Sequence, residues 1–308
     1  MRALVTGGAG FIGSHLVDRL LADGLDVRVL DDLSTGHLEN LPVHSALSVL
    51  QGDVADLDTV YRAVSGCAWV FHEAAIASVP KTIDDPIASQ RVNYGGTVNV
   101  LEAARSAGVG RVMFAASAAA YGDLPDQPKS EAMPVKPLSP YAVDKLASEY
   151  ACQVYHRVYG LETVCLRYFN VYGPRQDPSS PYSGVISLFA DRLGRGEPPI
   201  IHGDGEQTRD FVFVGDVVEA NLRAATHPDA PGRVVNVATG AAVSLNTLFE
   251  RMQRIVGSDL APSYGAERAG DIRHSVADVS IAGACLDWSA STPLDEGLSA
   301  LLASLMAS

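Results

Sequence analysis

A doubly wound, parallel α/β sheet carrying a smaller C-terminal α/β lobe is the fold this sequence predicts, on three observations. Short apolar runs alternate with longer helical patterns through the first half of the chain. Those apolar runs are continuous, as strands covered on both faces require. Beyond Asn170 the alternation loosens, and Pro174, Pro178, Pro181, Pro198 and Pro199 break the chain into short elements.

Taken in order, residues 3–6 read as a buried strand. Residues 11–23 follow as a helix with Ile12, Leu16, Leu20 and Leu21 on one stripe, ended by Gly24. Residues 27–30 are the next strand and lead into Asp31-Asp32. Residues 48–50 are a third strand, 56–64 a helix, and 69–72 a fourth strand. Residues 97–107 form a helix closed by Gly108, and 111–116 a strand. Residues 141–159 form a long helix closed by Gly160, and 163–167 a further strand. In the looser second half, 184–195 and 246–256 are helix candidates. The reading divides the chain at residues 1–170 and 171–308, with some later segments returning to the first unit. No internal repeat or low-complexity tract interrupts it.

Composition narrows the function. The 308 residues are 47% apolar and 19% charged, enough to bury a sizeable core. A net charge of −13 repels phosphate backbones and argues against a nucleic-acid partner. A small phosphorylated ligand stays compatible, because helix N-termini and a few arginines hold one locally. Cys67, Cys152, Cys165 and Cys285 form no close pair, so neither a metal site nor a redox motif is expected, only reduced thiols in a core. No apolar run approaches the ~20 residues a bilayer requires. The N-terminus leads straight into a glycine motif without a signal-like apolar segment, which predicts a cytoplasmic protein.

That motif, Gly7-Gly8-Ala9-Gly10-Phe11-Ile12-Gly13, lies between the first strand and the first helix. Glycine there allows a tight turn and close approach to a pyrophosphate, which the helix N-terminus then meets with free N–H groups. With an acidic residue closing the second strand, the context is that of a Rossmann-type dinucleotide site. Asp31 is placed to accept from the adenosine ribose hydroxyls and to repel a 2′-phosphate, which favours NAD over NADP. Asp32 shares that role or is solvated. Asp53 either meets the adenine edge or caps the helix after it.

Tyr141 and Lys145 stand four apart and so share one helix face. A free tyrosine titrates near pH 10, and an adjacent ammonium favours its phenolate, making it a usable base. Tyr141-Ala142-Val143-Asp144-Lys145, preceded by Ser117 in the stretch from Ala115 to Gly122, resembles the extended short-chain dehydrogenase/reductase family. His72-Glu73-Ala74-Ala75, Asn93 and the run Leu166 to Arg175 are similar to that family as well. Gly203 to Asp210 and Arg268 to His274 resemble its UDP-sugar 4-epimerase branch. The resemblance covers essentially the whole chain.

It implies a catalytic set of Ser117, Tyr141 and Lys145. It implies a cofactor-binding set of Gly7, Gly10, Phe11, Ile12, Gly13, Asp31, Asp32, Ser34, Thr35, Gly36, Asp53, Val54, Ala74, Ala75, Asn93, Tyr141, Lys145 and Tyr168. Asn170, Arg209, Arg268 and Asp271 are expected along the UDP-sugar, with Val185 and Ile186 against uracil. Ser275 stands where strict UDP-galactose epimerases carry a bulky tyrosine, leaving room beside the sugar. Arg192 either reaches a C6 carboxylate or is a solvated helix charge. Dehydratase relatives place an Asp-Glu pair after the serine or threonine, and decarboxylating relatives place a glutamate at the second of those positions. This chain has Ala118 and Ala119, so oxidation followed by reduction is the chemistry that remains.

The expected activity is therefore NAD-dependent 4-epimerisation of a UDP-sugar of the glucose/galactose type, the alternatives being UDP-glucuronate or UDP-GlcNAc. An NDP-sugar ketoreductase and a non-catalytic nucleotide sensor are the more distant readings. Tyr150, Val154, Tyr155 and Val158 exceed what one buried stripe needs, and with the related dimers they predict a homodimer.

Overall fold

The computed structural model describes residues 1–177, 184–267 and 272–306. The first half runs β1 (Arg2–Thr6), α1 (Phe11–Ala22), β2 (Asp26–Asp31), β3 (Leu47–Gln51), α2 (Leu57–Val64) and β4 (Trp69–His72). Two short helices follow, α3 (Val79–Asp84) and α4 (Pro86–Ser89). A π-helical turn (Gln90–Gly95) then leads into α5 (Gly96–Ala107). Next come β5 (Arg111–Ser117), a 3₁₀ turn (Ala118–Tyr121), α6 (Pro140–Tyr159), β6 (Glu162–Tyr168) and β7 (Asn170–Tyr172). The rest comprises α7 (Val185–Gly194), β8 (Ile200–His202), β9 (Thr208–Arg209), β10 (Phe211–Phe213), α8 (Val214–Thr226) and β11 (Val234–Val237). It ends with β12 (Val243–Ser244), α9 (Leu245–Val256), β13 (Ser263–Gly265), α10 (Ser280–Leu286) and α11 (Leu294–Met306).

Seven strands form one sheet in the order β11-β6-β5-β4-β1-β2-β3, and every pairing in it is parallel. Chain order reverses between β1 and β4, the switch point at which doubly wound sheets bind ligands beyond the strands' carboxyl ends. Successive residues face opposite layers, as the pleat demands. Ala3 and Val5 join Leu16, Leu20 and Val217 on the side of α1, α8 and α10, whereas Leu4 joins Val60, Val100 and Leu101 on the side of α2 and α5. Gly108 and Gly160 end α5 and α6 in the left-handed conformation that residues with a Cβ rarely adopt.

Three elements that the periodicity does not reveal complete this domain. The helix α8, the seventh strand β11 and α10 all lie beyond residue 170 yet pack against the main sheet. A separate core of Ile186, Phe189, Phe211, Leu248, Phe249, Met252, Leu298 and Leu301 builds the smaller lobe. The expected helices 184–195 and 246–256 are α7 and α9, shifted by a residue at their ends. All four cysteines are free and buried. No helix among the described residues is long and apolar enough to cross a membrane.

Candidate active site

The strand ends at the switch point carry the first part of the site. Gly7 sits at φ +66°, and a Cβ there would fall 2.8 Å from the Ala74 nitrogen. A Cβ on Gly13 would run into the Gly7 carbonyl. The turn therefore closes on itself only because both residues lack side chains. It delivers the N-terminus of α1, whose N-cap Gly10 contributes no side-chain bond to the first-turn N–H groups. Phe11 and Ile12, in that first turn, are half-buried. An uncapped helix start behind a glycine turn suits a pyrophosphate.

Asp31 ends β2 beside this turn and is 7% exposed. Its carboxylate accepts from the Ala9 N–H and the Leu33 N–H, both at 2.9 Å. Gly36 packs so closely on it that a Cβ would come within 2.8 Å of the carboxylate. Asp32 is exposed and accepts from the Ser34 N–H at 2.9 Å and the Ser34 hydroxyl at 2.7 Å, and Thr35 is exposed beside it. Asp53 does not cap the next helix: Asp56 does, accepting from the Asp58 N–H. Asp53 instead accepts from the Ala55 N–H at 2.8 Å and pairs with Arg91 at 2.8 Å. Val54 is buried, and its carbonyl accepts from the Asn99 amide.

A closed hydrogen-bond chain holds the end of β4 against the glycine turn. The Thr97 hydroxyl donates to the Asn93 carbonyl at 2.6 Å, so toward His72, 3.0 Å away, it accepts. His72 Nε2 therefore carries the proton, and Nδ1 accepts from the Thr6 hydroxyl at 2.7 Å. Thr6 in turn accepts from the Ala74 N–H at 3.2 Å. Burial, with Lys145 adding to it, pushes His72 down to about 3, so the ring stays neutral. Asn93, inside the π-helical turn, clamps Ile76 from both sides, accepting its N–H at 2.7 Å and donating to its carbonyl at 3.2 Å. Its amide thereby fixes the segment carrying Ala74 and Ala75. Such turns inside helices often mark functional positions.

Ser117 ends β5, and Tyr141 and Lys145 project from the first turns of α6, capped by Ser139. Ser117 stands close enough to the Tyr141 hydroxyl to favour its phenolate, and its own Oγ accepts from the Ala119 N–H at 3.1 Å. Lys145, 4% exposed, donates to the Ala115 carbonyl at 2.7 Å. Its ammonium lies 4.9 Å from the Phe114 ring centroid and 6.0 Å from that of Tyr141. The three side chains thus meet beyond the sheet's carboxyl edge. Burial raises the Tyr141 pKa, Ser117 opposes that, and a carboxylate, Glu73, adds to it. Burial also lowers Lys145. In the protein alone, desolvation outweighs the help a neighbouring ammonium was expected to give.

On the substrate side Asn170 begins β7, which pairs with β10, and its N–H donates to the Asp210 carbonyl at 3.0 Å. Arg209, on β9, donates to the Thr208 carbonyl at 2.8 Å. Ser275 is half-buried, its N–H on the same Thr208 carbonyl at 3.1 Å. Val185 opens α7 half-buried, whereas Ile186 is drawn into the core of the smaller lobe at 2% exposure. Its expected place on uracil is thereby taken. Arg192 lies in the last turn of α7 and donates to the Pro198 carbonyl at 3.0 Å, so its guanidinium serves a surface loop. Arg268 and Asp271 lie outside the described residues.

Two carboxylates escaped the sequence reading. Asp210 is fully buried, accepts from the Thr239 and Gly240 N–H groups and from the Ala277 N–H, and ties three chain segments together behind Asn170. Glu73 follows β4 and accepts from the Tyr168 hydroxyl at 2.8 Å. Tyr168 accepts in turn from Asn221 at 2.7 Å, so its hydroxyl is engaged in a buried network. The available signal was a charge at an otherwise apolar strand end. Among the described residues, no group of three or more histidines, cysteines and acids is placed to hold a metal ion.

Comparison with known proteins supplies a wider context. Residues 3–238 match the NAD dependent epimerase/dehydratase family. The chain is 44% identical over 305 residues to a UDP-glucose 4-epimerase of Mycolicibacterium smegmatis, covering 97% of this chain and 96% of that one. It superposes with TM-score 0.96 and 38% identity on a UDP-N-acetylglucosamine 4-epimerase from Methanobrevibacter ruminantium solved with UDP-N-acetylmuramic acid, covering 99% and 98% of the two chains. The same coverage and identity, with TM-score 0.89, relate it to a Thermus thermophilus UDP-glucose 4-epimerase in complex with NAD.

Proposed function

Because the chain belongs to the NAD-dependent epimerase/dehydratase family, we propose that it inverts the C4 hydroxyl of a UDP-linked sugar through a 4-keto intermediate. The observation that carries this reading is the junction of Ser117, Tyr141 and Lys145 beyond β5, followed by Ala118 and Ala119 where elimination chemistry would need an acid and a base.

The glycine turn, the uncapped start of α1 and Asp31 fit NAD, with the pyrophosphate at the helix N-terminus and the adenosine ribose at Asp31. When bound, NAD would supply the hydride acceptor and donor for C4. Tyr141, as phenolate, takes the proton from O4, and Ser117, beside Tyr141 at the end of β5, orients that hydroxyl. Lys145, held by the Ala115 carbonyl with its ammonium 6.0 Å from the Tyr141 ring centroid, would favour the phenolate and hold the nicotinamide ribose when NAD is bound. The keto-sugar then turns about its diphosphate linkage, and Tyr141 gives the proton back as the hydride arrives on the other face. Oxidation and reduction cancel, so the cofactor stays bound. A ketoreductase would consume NADH instead.

Among sugars, plain hexoses are favoured over uronates by the bond from Arg192 to Pro198, which keeps that guanidinium away from a C6 carboxylate. Ser275 leaves room for a larger substituent beside the sugar. The test incubates the protein separately with UDP-glucose, UDP-GlcNAc and UDP-glucuronate and resolves the C4 epimers. Interconversion of UDP-glucose and UDP-galactose is expected. No epimer from any of the three would overturn the reading.

The same reading includes a homodimer. Tyr150, Val154, Val158 and Tyr159 leave more than half of their surface uncovered along one side of α6, while Tyr155 packs against Tyr159 with centroids 5.0 Å apart. A two-fold pairing of this helix with its copy would bury that side. Light scattering at micromolar concentration should give twice the monomer mass.

A further inference from the structure

Glu73 stands half-buried just past the end of β4. It follows an apolar strand directly behind the glycine turn that is to meet a pyrophosphate, and a Cβ on Gly7 would lie 3.1 Å from its carbonyl carbon. Its hydrogen-bond donor is neutral, the Tyr168 hydroxyl. That hydroxyl is fixed by Asn221 of α8, which also donates to the Val217 carbonyl at 2.9 Å. A glutamine would accept the same bond without the charge. β4 pairs with β5 through His72 and Phe114, and Lys145 of α6 donates to the next β5 carbonyl, that of Ala115, while Tyr168 stands in register with Ser117. The one charged group acting on Glu73 is thus the Lys145 ammonium, with the titratable Tyr141 hydroxyl on the same helix. Tyr168 faces it from β6, and α8 offers only the neutral Asn221.

We propose that Glu73 is a positioning residue for proton transfer, a carboxylate held by Tyr168 and Asn221 whose charge acts on both Tyr141 and Lys145. This rests on the epimerase reading for its catalytic meaning, but the electrostatic claim stands without it. The directions agree with the geometry. The Glu73 carboxylate raises the Tyr141 pKa, disfavouring the phenolate, and raises Lys145, opposing the loss of its proton under burial. Burial raises Glu73 itself to about 7 against the pull of Tyr168 and Lys145, so its charge is present above that pH, where Tyr141 and Lys145 titrate. Glu73 thereby delays release of the tyrosine proton and keeps the lysine charged.

The signs yield a definite test. Turnover needs Tyr141 able to lose its proton and Lys145 able to keep its own, so the pH profile is a bell. Glu73→Gln keeps the shape and the Tyr168 bond but removes the charge. Both limbs of the profile should then move to lower pH by about one unit, the size of one neighbouring charge's effect. Glu73→Asp keeps the charge and should leave the limbs at their wild-type positions even if turnover drops. A second readout needs no turnover: tyrosinate absorbance of the NAD-loaded protein, referenced to Tyr141→Phe in each background, should develop at lower pH in Glu73→Gln. Limbs and absorbance that superpose on wild type would overturn the proposal. If wild type epimerises nothing while the absorbance still shifts, the epimerase reading fails and the electrostatic role of Glu73 stands.

Discussion

The cofactor end and the substrate end of this molecule are built on different principles. At the cofactor end several polar groups are buried and hydrogen-bonded to one another. His72 is held on both ring nitrogens, and Asn93 clamps a backbone segment on both sides. Nearby, Arg167 and Glu149 form a bidentate pair at 2.8 and 2.7 Å, with side chains 4% and 2% exposed. At the substrate end Asp210 is buried behind Asn170, but the Arg273–Asp204 pair is open to water. Arg273 pairs with Asp204 by two bonds of 2.7 and 2.8 Å, but both are about half exposed. The contrast places the hydrogen-bonded framework of the cofactor end in the interior and leaves sugar choice to exposed side chains that a few substitutions can rearrange.

Mutations at the two ends should differ accordingly, and the base comes first. Tyr141→Phe keeps the ring and should lower turnover at least ~10²-fold with NAD still bound, the scale of general acid–base catalysis. Turnover near wild type would remove Tyr141 from the chemistry.

Glu149→Ala strands a buried guanidinium and should cost about 3–5 kcal/mol in urea unfolding. Arg273→Ala breaks an exposed pair of equally good geometry and should leave the urea midpoint unchanged. Equal effects would erase the distinction between the two ends.

The third prediction concerns pH. His72 is pushed from 6.5 to about 3, so the unfolded chain binds its proton more readily than the folded one. Its contribution is complete above pH 6.5 and is lost as pH falls toward 3, on the order of a few kcal/mol in all. Urea unfolding across that window should show the loss, and His72→Gln should flatten it. An unchanged slope would mean that other groups carry the acid sensitivity.

The smallest effects belong to the substrate end. Ser275→Tyr should suppress N-acetylated sugars by about 1–3 kcal/mol in kcat/KM and spare plain hexoses. Arg192→Ala should change neither, because its guanidinium serves Pro198. Selective loss of UDP-glucuronate turnover in Arg192→Ala would replace the hexose reading with the uronate one.

The same contrast governs what the sequence discloses. The glycine turn, Asp31 and the Tyr141/Lys145 spacing are legible because their chemistry depends on local backbone and short spacings. Asp56 as the helix cap was hidden by Asp53, three residues earlier, since both are plausible side-chain acceptors and only the backbone decides between them. The strand β11 escapes because four residues give periodicity too little length, and its place beside β6 is set by packing across the sheet. Glu73 is visible as a letter, but its meaning depends on Tyr168 and Asn221, 95 and 148 positions away in the chain. The raised pKa of Tyr141 likewise follows from burial, which spacing does not report.

The central claim is that one hydride leaves C4 and returns to it within a single binding event. UDP-glucose deuterated at C4 tests this when incubated with the purified protein and no added cofactor. The account predicts UDP-galactose that keeps deuterium at C4, with no NADH released. Loss of the label to solvent, or conversion only when free NADH is supplied and consumed, would contradict it.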